Sequence, residues 1–93
     1  MLTHIVFFRF SDLSTAAEAR DRLVQMHGQI PSLKHIEAGV DVTRSARSFD
    51  LALITRFEDV VGLEAYADHP VHVEVLTWLR TVATQTAAVD YLD

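Results

Sequence analysis

Hydrophobic side chains fall on both parities of the opening stretch, "LTHIVFFRF". Leu2, His4, Val6, Phe8 and Phe10 share one face of an extended strand, and Thr3, Ile5, Phe7 and Arg9 share the other. Apolar bulk on both faces predicts a central strand that is covered on both sides. The period then changes. Ala19, Leu23 and Met26 recur at spacings of four and three, one apolar stripe on an otherwise charged helix. Thr15 followed by Glu18 fits a capping box at its start. Gly28 fits a left-handed stop at its end, and Pro31 a break in the chain. Alternation returns from Leu33 to Val42, with Lys34, Ile36, Ala38, Val40 and Val42 facing one way. A polar turn, "TRSARS", leads into a second long strand from Phe49 to Phe57, so the two form an antiparallel hairpin. Asp59 is placed to cap a short helix reaching about Tyr66. Pro70 sits in the first turn of a longer one, whose broad apolar face carries Val71, Val75, Trp78 and Val82, flanked by His72, Leu76 and Leu79. "TAAVDYL" closes as a final strand.

Strand, helix, strand, strand, helix, strand is the ferredoxin-like βαββαβ plan of the α+β class. It predicts a four-stranded antiparallel sheet with its helices on one face. The other face should then be wet and polar. Yet Ile5 and Phe7 oppose Val6 and Phe8, and Ala52 and Ile54 oppose Leu51 and Leu53. A second copy, packed sheet against sheet, would shelter them. Six such side chains burying about 100 Å² each are worth on the order of 15 kcal/mol before the costs of association. The expectation is an obligate homodimer whose two sheets close into a barrel.

Composition narrows the classes. The 93 residues suit one domain, residues 1–93. A domain of this size buries only about 60% of its unfolded surface, so a partner subunit helps it. A formal charge of −5 argues against nucleic acid as a partner. Apolar runs are far shorter than the roughly 18 residues a membrane span requires. Arg9 interrupts the first apolar stretch, which is unlike a secretory leader. With no cysteine, nothing points to a disulfide, a redox motif or a thiolate metal site. The expectation is a soluble, cytoplasmic protein without membrane partners.

The opening "HIVFFRF", the central "GVDVTRSARSFDLALITRFEDVVGLEAY" and the helix start "HPVHVEV" together resemble the stress-responsive A/B barrel (Dabb) family, over nearly the whole chain. The resemblance implies a dimeric α+β barrel. The family includes plant heat- and stress-associated proteins that act through their stability. It also includes a plant polyketide cyclase, olivetolic acid cyclase, which closes a ring by an aldol step without metal or organic cofactor. Carried over motif by motif, the resemblance implies His72 as general base, Tyr66 as its assistant and His4 on the pocket wall. Leu51 stands where that enzyme has a further pocket histidine, which implies a drier wall here.

That chemistry is coherent. A neutral imidazole takes a proton next to a carbonyl near pH 7, and a phenol donates to the developing enolate oxygen. If the His4–Val6–Phe8 face meets the helices, His4 points into the same space as His72. Leu51, Leu53, Val73, Leu76 and Leu79 would complete an apolar ligand pocket around them. Plain structural readings stand beside this one. His72 and His4 suit a core histidine bonded to a neighbour, Tyr66 a core ring, and Asp68 or His69 a helix cap. Asp68, His69 and His72 make a weak metal patch with no fixed third ligand, so no metal is expected. Arg44 and Arg47 read as solvated turn residues, His27 and His35 as exposed, and Trp78 as a packing residue. Three functions fit: a small-molecule-binding dimer with cofactor-free acid–base activity, a non-catalytic stable dimer, and, by fold analogy, a cofactor-independent monooxygenase.

Overall fold

The computed structural model describes all 93 residues. Its elements run β1 (Leu2–Phe10), α1 (Thr15–Val24), β2 (His35–Val40), β3 (Leu51–Phe57), α2 (Val60–Asp68), α3 (Pro70–Val82) and β4 (Ala83–Leu92). The sheet order is β2-β3-β1-β4, and every neighbouring pair is antiparallel. The ferredoxin-like fold expected from the sequence is therefore present, with β1 as a central strand and the second helical region split in two at His69. No helix is long and apolar enough to cross a membrane.

Alternation divides the sheet into two surfaces. Leu2, Phe8 and Phe10 of β1 and Leu51, Leu53 and Phe57 of β3 are buried together with Ala16, Ala19, Leu23 and Met26, in one core that also takes in Tyr66 and Leu79. The stripe seen at Ala19, Leu23 and Met26 is thus the buried face of α1 and its continuation. Gly28 follows with φ +80°, a left-handed conformation that a Cβ would disfavour. On the opposite surface, Ile5 pairs with Ile54 and Val89, and Phe7 with Ala52 and Ala87. Phe7, Val89 and Tyr91 remain 42%, 62% and 47% exposed there. This is the apolar open face that the strand pattern anticipates. From Thr84 onward, β4 is exposed along its whole length.

Several local expectations change. The helix α1 does not begin with a capping box. Its N-cap is Ser14, and Asp12 instead accepts bonds from the Ser14 backbone N–H (2.9 Å) and hydroxyl (2.8 Å). Glu18 pairs instead with Arg22 one turn on, and the Thr15 N–H bonds the Asp12 carbonyl. The hairpin strands β2 and β3 are shorter than the alternation suggests, and Val42 lies outside the sheet and is 90% exposed. The final strand is longer, because β4 starts directly at the end of α3 with no loop between them. The caps are as expected at two sites. Asp59 accepts from the Gly62 N–H at 2.9 Å, and the His69 ring accepts from the Val71 N–H at 3.1 Å.

Arg44 is not a freely solvated turn residue. It adopts a left-handed φ of +53°, at a cost of about 1 kcal/mol for a residue with a Cβ. Offsetting that cost, its guanidinium reaches Asp50 Oδ1 at 2.7 Å and Asp41 Oδ2 at 3.1 Å. Asp50 is buried, and its other oxygen accepts from the Phe10 N–H at 2.9 Å. Desolvation works against the Asp50 charge, but the Phe10 N–H and the Arg44 guanidinium outweigh it and hold the carboxyl below its usual range. One carboxylate thus ties the hairpin loop to the central strand. Asp50→Ala should lower stability by about 2 kcal/mol, read as the shift of a urea unfolding midpoint near pH 7. Because the folded-state pKa is depressed, the Asp50 contribution is present above the ordinary aspartate range and is lost as the pH falls through the lowered value.

Candidate functional site

Beneath the helices, the sheet leaves an apolar cavity of about 370 Å³. β1 supplies His4, Val6 and Phe8, β3 supplies Leu53, and β4 supplies Thr86. Leu63, Tyr66 and Ala67 reach it from α2, and His72, Val75, Leu76 and Leu79 from α3, with Leu23 of α1 completing the wall. Positions 72, 75, 76 and 79 follow the i, i+3, i+4, i+7 rule of a single helix face. The cap at His69, with Pro70 at the first turn, sets the phase of that face and turns His72 inward.

Two expected wall residues do not line this cavity. Leu51 is 1% exposed and packs in the core beside Phe8, its cross-strand partner. The β3 wall residue is Leu53, one pleat further along, so the dry wall lies there. Val73 follows His72 by about 100° of helix rotation and is 44% exposed. Val75 takes the place assigned to it. The strand-face and helix-face rules, applied strictly from His4 and His72, select Val75. They do not select Leu23 or Thr86, which the tertiary fold brings in from α1 and from the strand paired with Phe8.

Tyr66 sits at the centre of the polar groups. Its ring lies 4.2 Å from that of His72, 5.0 Å from that of Phe57 and 6.5 Å from that of His4, between centroids. It is 1% exposed, and its hydroxyl is buried without a hydrogen-bond partner. Burial pushes the phenol well above its ordinary pKa, so it is a neutral donor at any physiological pH. An unpaired buried hydroxyl costs about 1–3 kcal/mol, which an acceptor brought by a ligand would relieve.

His72 is bonded on one side only. Its Nδ1 lies 3.0 Å from the Ala67 carbonyl oxygen. A carbonyl only accepts, so Nδ1 carries the proton and the neutral ring keeps a lone pair on Nε2. Desolvation lowers the His72 pKa and outweighs the opposing pull of the Ala67 carbonyl, with a smaller lowering influence from the Arg80 guanidinium. His4 is held from behind. Its Nδ1 bonds the Asp90 carboxylate, directly across the β1–β4 ladder. The structure holds no group of three or more His, Cys, Asp or Glu side chains arranged for a metal ion. Nδ1 of His69 is occupied by its capping bond.

The half-buried neutral imidazole has a consequence for stability. Its folded-state pKa is depressed, so the unfolded chain takes up the proton first as the pH falls. Stability should be level above the ordinary histidine range, about pH 6.5, and should decline below it until the lowered folded pKa is reached. Urea midpoints measured between about pH 8 and pH 5 should show this decline, and His72→Asn should remove it. The carboxylate-linked loss at more acid pH would persist.

Residues 2–93 match the family model of the stress-responsive A/B barrel domain, Dabb. The chain belongs to the Dabb family. A relative from Streptomyces coelicolor, an uncharacterized protein, is 27% identical over 96 residues, covering 98% of each chain. Among solved structures, a dimeric ferredoxin-like protein of unknown function from Thermobifida fusca is 26% identical, with a TM-score of 0.87 over 99% of this chain and 90% of the other. A dimeric protein of the same fold from Bacteroides fragilis is 24% identical, with a TM-score of 0.88 over 99% and 95%. The Dabb fold alone is shared with a hydroxynitrile lyase from Passiflora edulis (17% identity, TM-score 0.84) and an antibiotic biosynthesis monooxygenase (14%, 0.81).

Proposed function

We propose that this Dabb protein is a cytoplasmic homodimer that binds a small, partly hydrophobic molecule and performs cofactor-free acid–base chemistry at an activated carbonyl. The observation that carries the reading is that one apolar cavity is lined both by Tyr66, whose buried hydroxyl has no hydrogen-bond partner, and by His72, whose Nδ1 alone is bonded. His72 is the base. Nε2 takes a proton from the carbon next to the carbonyl, and the C–H electron pair moves into the enolate. Tyr66 donates its hydrogen bond to the enolate oxygen, where charge develops. His4, fixed by Asp90, anchors the polar end of the guest. The enolate carbon then either recovers the proton from His72 or attacks, as in a polyketide cyclase, a second carbonyl, whose oxygen becomes an alkoxide and takes the proton from His72.

The test is proton exchange. 4-Phenylbutan-2-one in deuterated buffer, followed by NMR, should lose its α-protons faster with catalytic amounts of protein than in buffer alone. Equal rates at saturating ketone would sink the acid–base reading. A second reading, a non-catalytic dimer valued for its stability, draws support from the His72–Ala67 bond, which also suits a purely structural histidine. It requires that His72 and Tyr66 variants leave the biological role intact. The monooxygenase reading has only the shared fold behind it.

In this proposal the dimer forms sheet against sheet. Ile5, Phe7, Ala52, Ile54, Ala87, Val89 and Tyr91 present one apolar surface across three strands. The reading draws support from the dimeric relatives of the same fold.

A further inference from the structure

Charge divides this molecule unevenly around the cavity. The chain has eight lysine and arginine side chains, and none lines it. Arg9 and Arg56 project from the open face of the sheet, on the parity opposite to His4 and Leu53. Arg20 and Arg22 lie on the outer surface of α1, with the Arg22 guanidinium 4.1 Å above the Trp78 ring. Arg44 is committed to Asp41 and Asp50 at the hairpin loop, where Arg47 is also exposed. Lys34 caps the turn before β2, and Arg80 is exposed on α3. At the polar end of the cavity, the group bonded to His4 is a carboxylate, Asp90.

From this arrangement we infer that the site selects an uncharged guest: an apolar body ending in a hydrogen-bond acceptor, such as a ketone or aldehyde, in preference to a carboxylate of the same shape. The inference rests on reading the cavity as a small-molecule site. A carboxylate placed here would shed its water against leucine, valine and phenylalanine walls with no cation to replace it. A protonated His4 would not change this, because Asp90 already neutralises it and the pair offers no net positive charge. His72 resists protonation for the same reason that the guest must be neutral: burial penalises the charged form. A neutral carbonyl meets none of these costs, and its oxygen supplies the acceptor that the Tyr66 hydroxyl lacks.

Matched ligands test this directly. 4-Phenylbutan-2-one and 3-phenylpropanoate differ by a methyl group in place of a carboxylate oxygen, and butylbenzene lacks the acceptor altogether. Titrations followed by NMR at about pH 8 should give a dissociation constant for the ketone about 100-fold lower than for the carboxylate. The ketone should also bind about 5-fold more tightly than butylbenzene, and Tyr66→Phe should erase that advantage while leaving butylbenzene unchanged. Equal or tighter binding of 3-phenylpropanoate would overturn the inference. So would failure of both uncharged ligands to bind up to their solubility limits. The comparison on the unaltered protein needs no variant to fold. Binding of the ketone without proton exchange would end the acid–base reading and leave the ligand class standing. Exchange accompanied by a preference for the carboxylate would do the reverse.

Discussion

Replacing His72 with asparagine is expected to lower enzyme-dependent α-proton exchange by about 10²–10⁴-fold, the range ordinarily supplied by a positioned general base. Asparagine is the informative choice. Its side-chain amide can still donate to the Ala67 carbonyl, as Nδ1 does in His72. The α2–α3 junction therefore keeps its bond, and only the lone pair on Nε2 disappears. A drop in exchange with an unchanged unfolding midpoint at about pH 8 separates loss of the base from loss of the fold. Tyr66→Phe should cost about 10²–10³-fold in the same assay, because it removes the donor aimed at the developing oxyanion. The double variant should be hardly worse than either alone, since the two groups act on one transition state. If His72→Asn exchanges as fast as the parent, the histidine is structural and the base lies elsewhere.

Placing an aspartate at Ile54 should dismantle the dimer. Ile54 lies in β3 opposite Ile5, in the middle of the open apolar surface. Burying seven such side chains at about 25 cal/mol per Å² gives more than 10 kcal/mol before association costs. An unpaired carboxylate at the centre of that contact costs several kcal/mol in each subunit. Sedimentation should show the parent at 2 × 10.5 kDa, or about 21 kDa, and Ile54→Asp at 10.5 kDa, folded or unfolded. The melting temperature of the parent should rise with protein concentration, and that of the variant should not. A parent that sediments as a single subunit at micromolar concentration would refute the packing mode and the need for a partner together.

The sequence shows more of the fold than of the site. Period-two patterning at Leu2–Phe10 separates the buried Leu2, Phe8 and Phe10 from the exposed Phe7, because one face is buried and a one-residue slip would invert it, although Thr3 on the open-face parity is also buried. The capping roles of Asp59 and His69 are also readable, since each depends on a side chain two or three residues from its partner. The capping box at Thr15 is not, because the Asp12 backbone carbonyl takes the Thr15 N–H and a spacing rule cannot foresee that competitor. At the site, His4, Tyr66 and His72 are named by residue type and family resemblance, and the fold brings them around one cavity. Asp90 escapes notice, since its link to His4 spans 86 positions and exists only through the β1–β4 register. The orphaned Tyr66 hydroxyl is likewise invisible in a sequence, because it is defined by the absence of a neighbour.

The pairing of β1 with β4 also governs the order in which the molecule can assemble. One of the two central strands of the sheet comes from residues 2–10, and one of its two flanks is filled only by residues 83–92. Contacts of such long range place the loop-closure cost late and slow the final step. During synthesis, β1 emerges before β4 and keeps a raw edge until residues 83–92 have left the ribosome. Until then that edge is a template for any other extended chain, a hazard in a crowded cell that calls for rapid completion or a chaperone's protection.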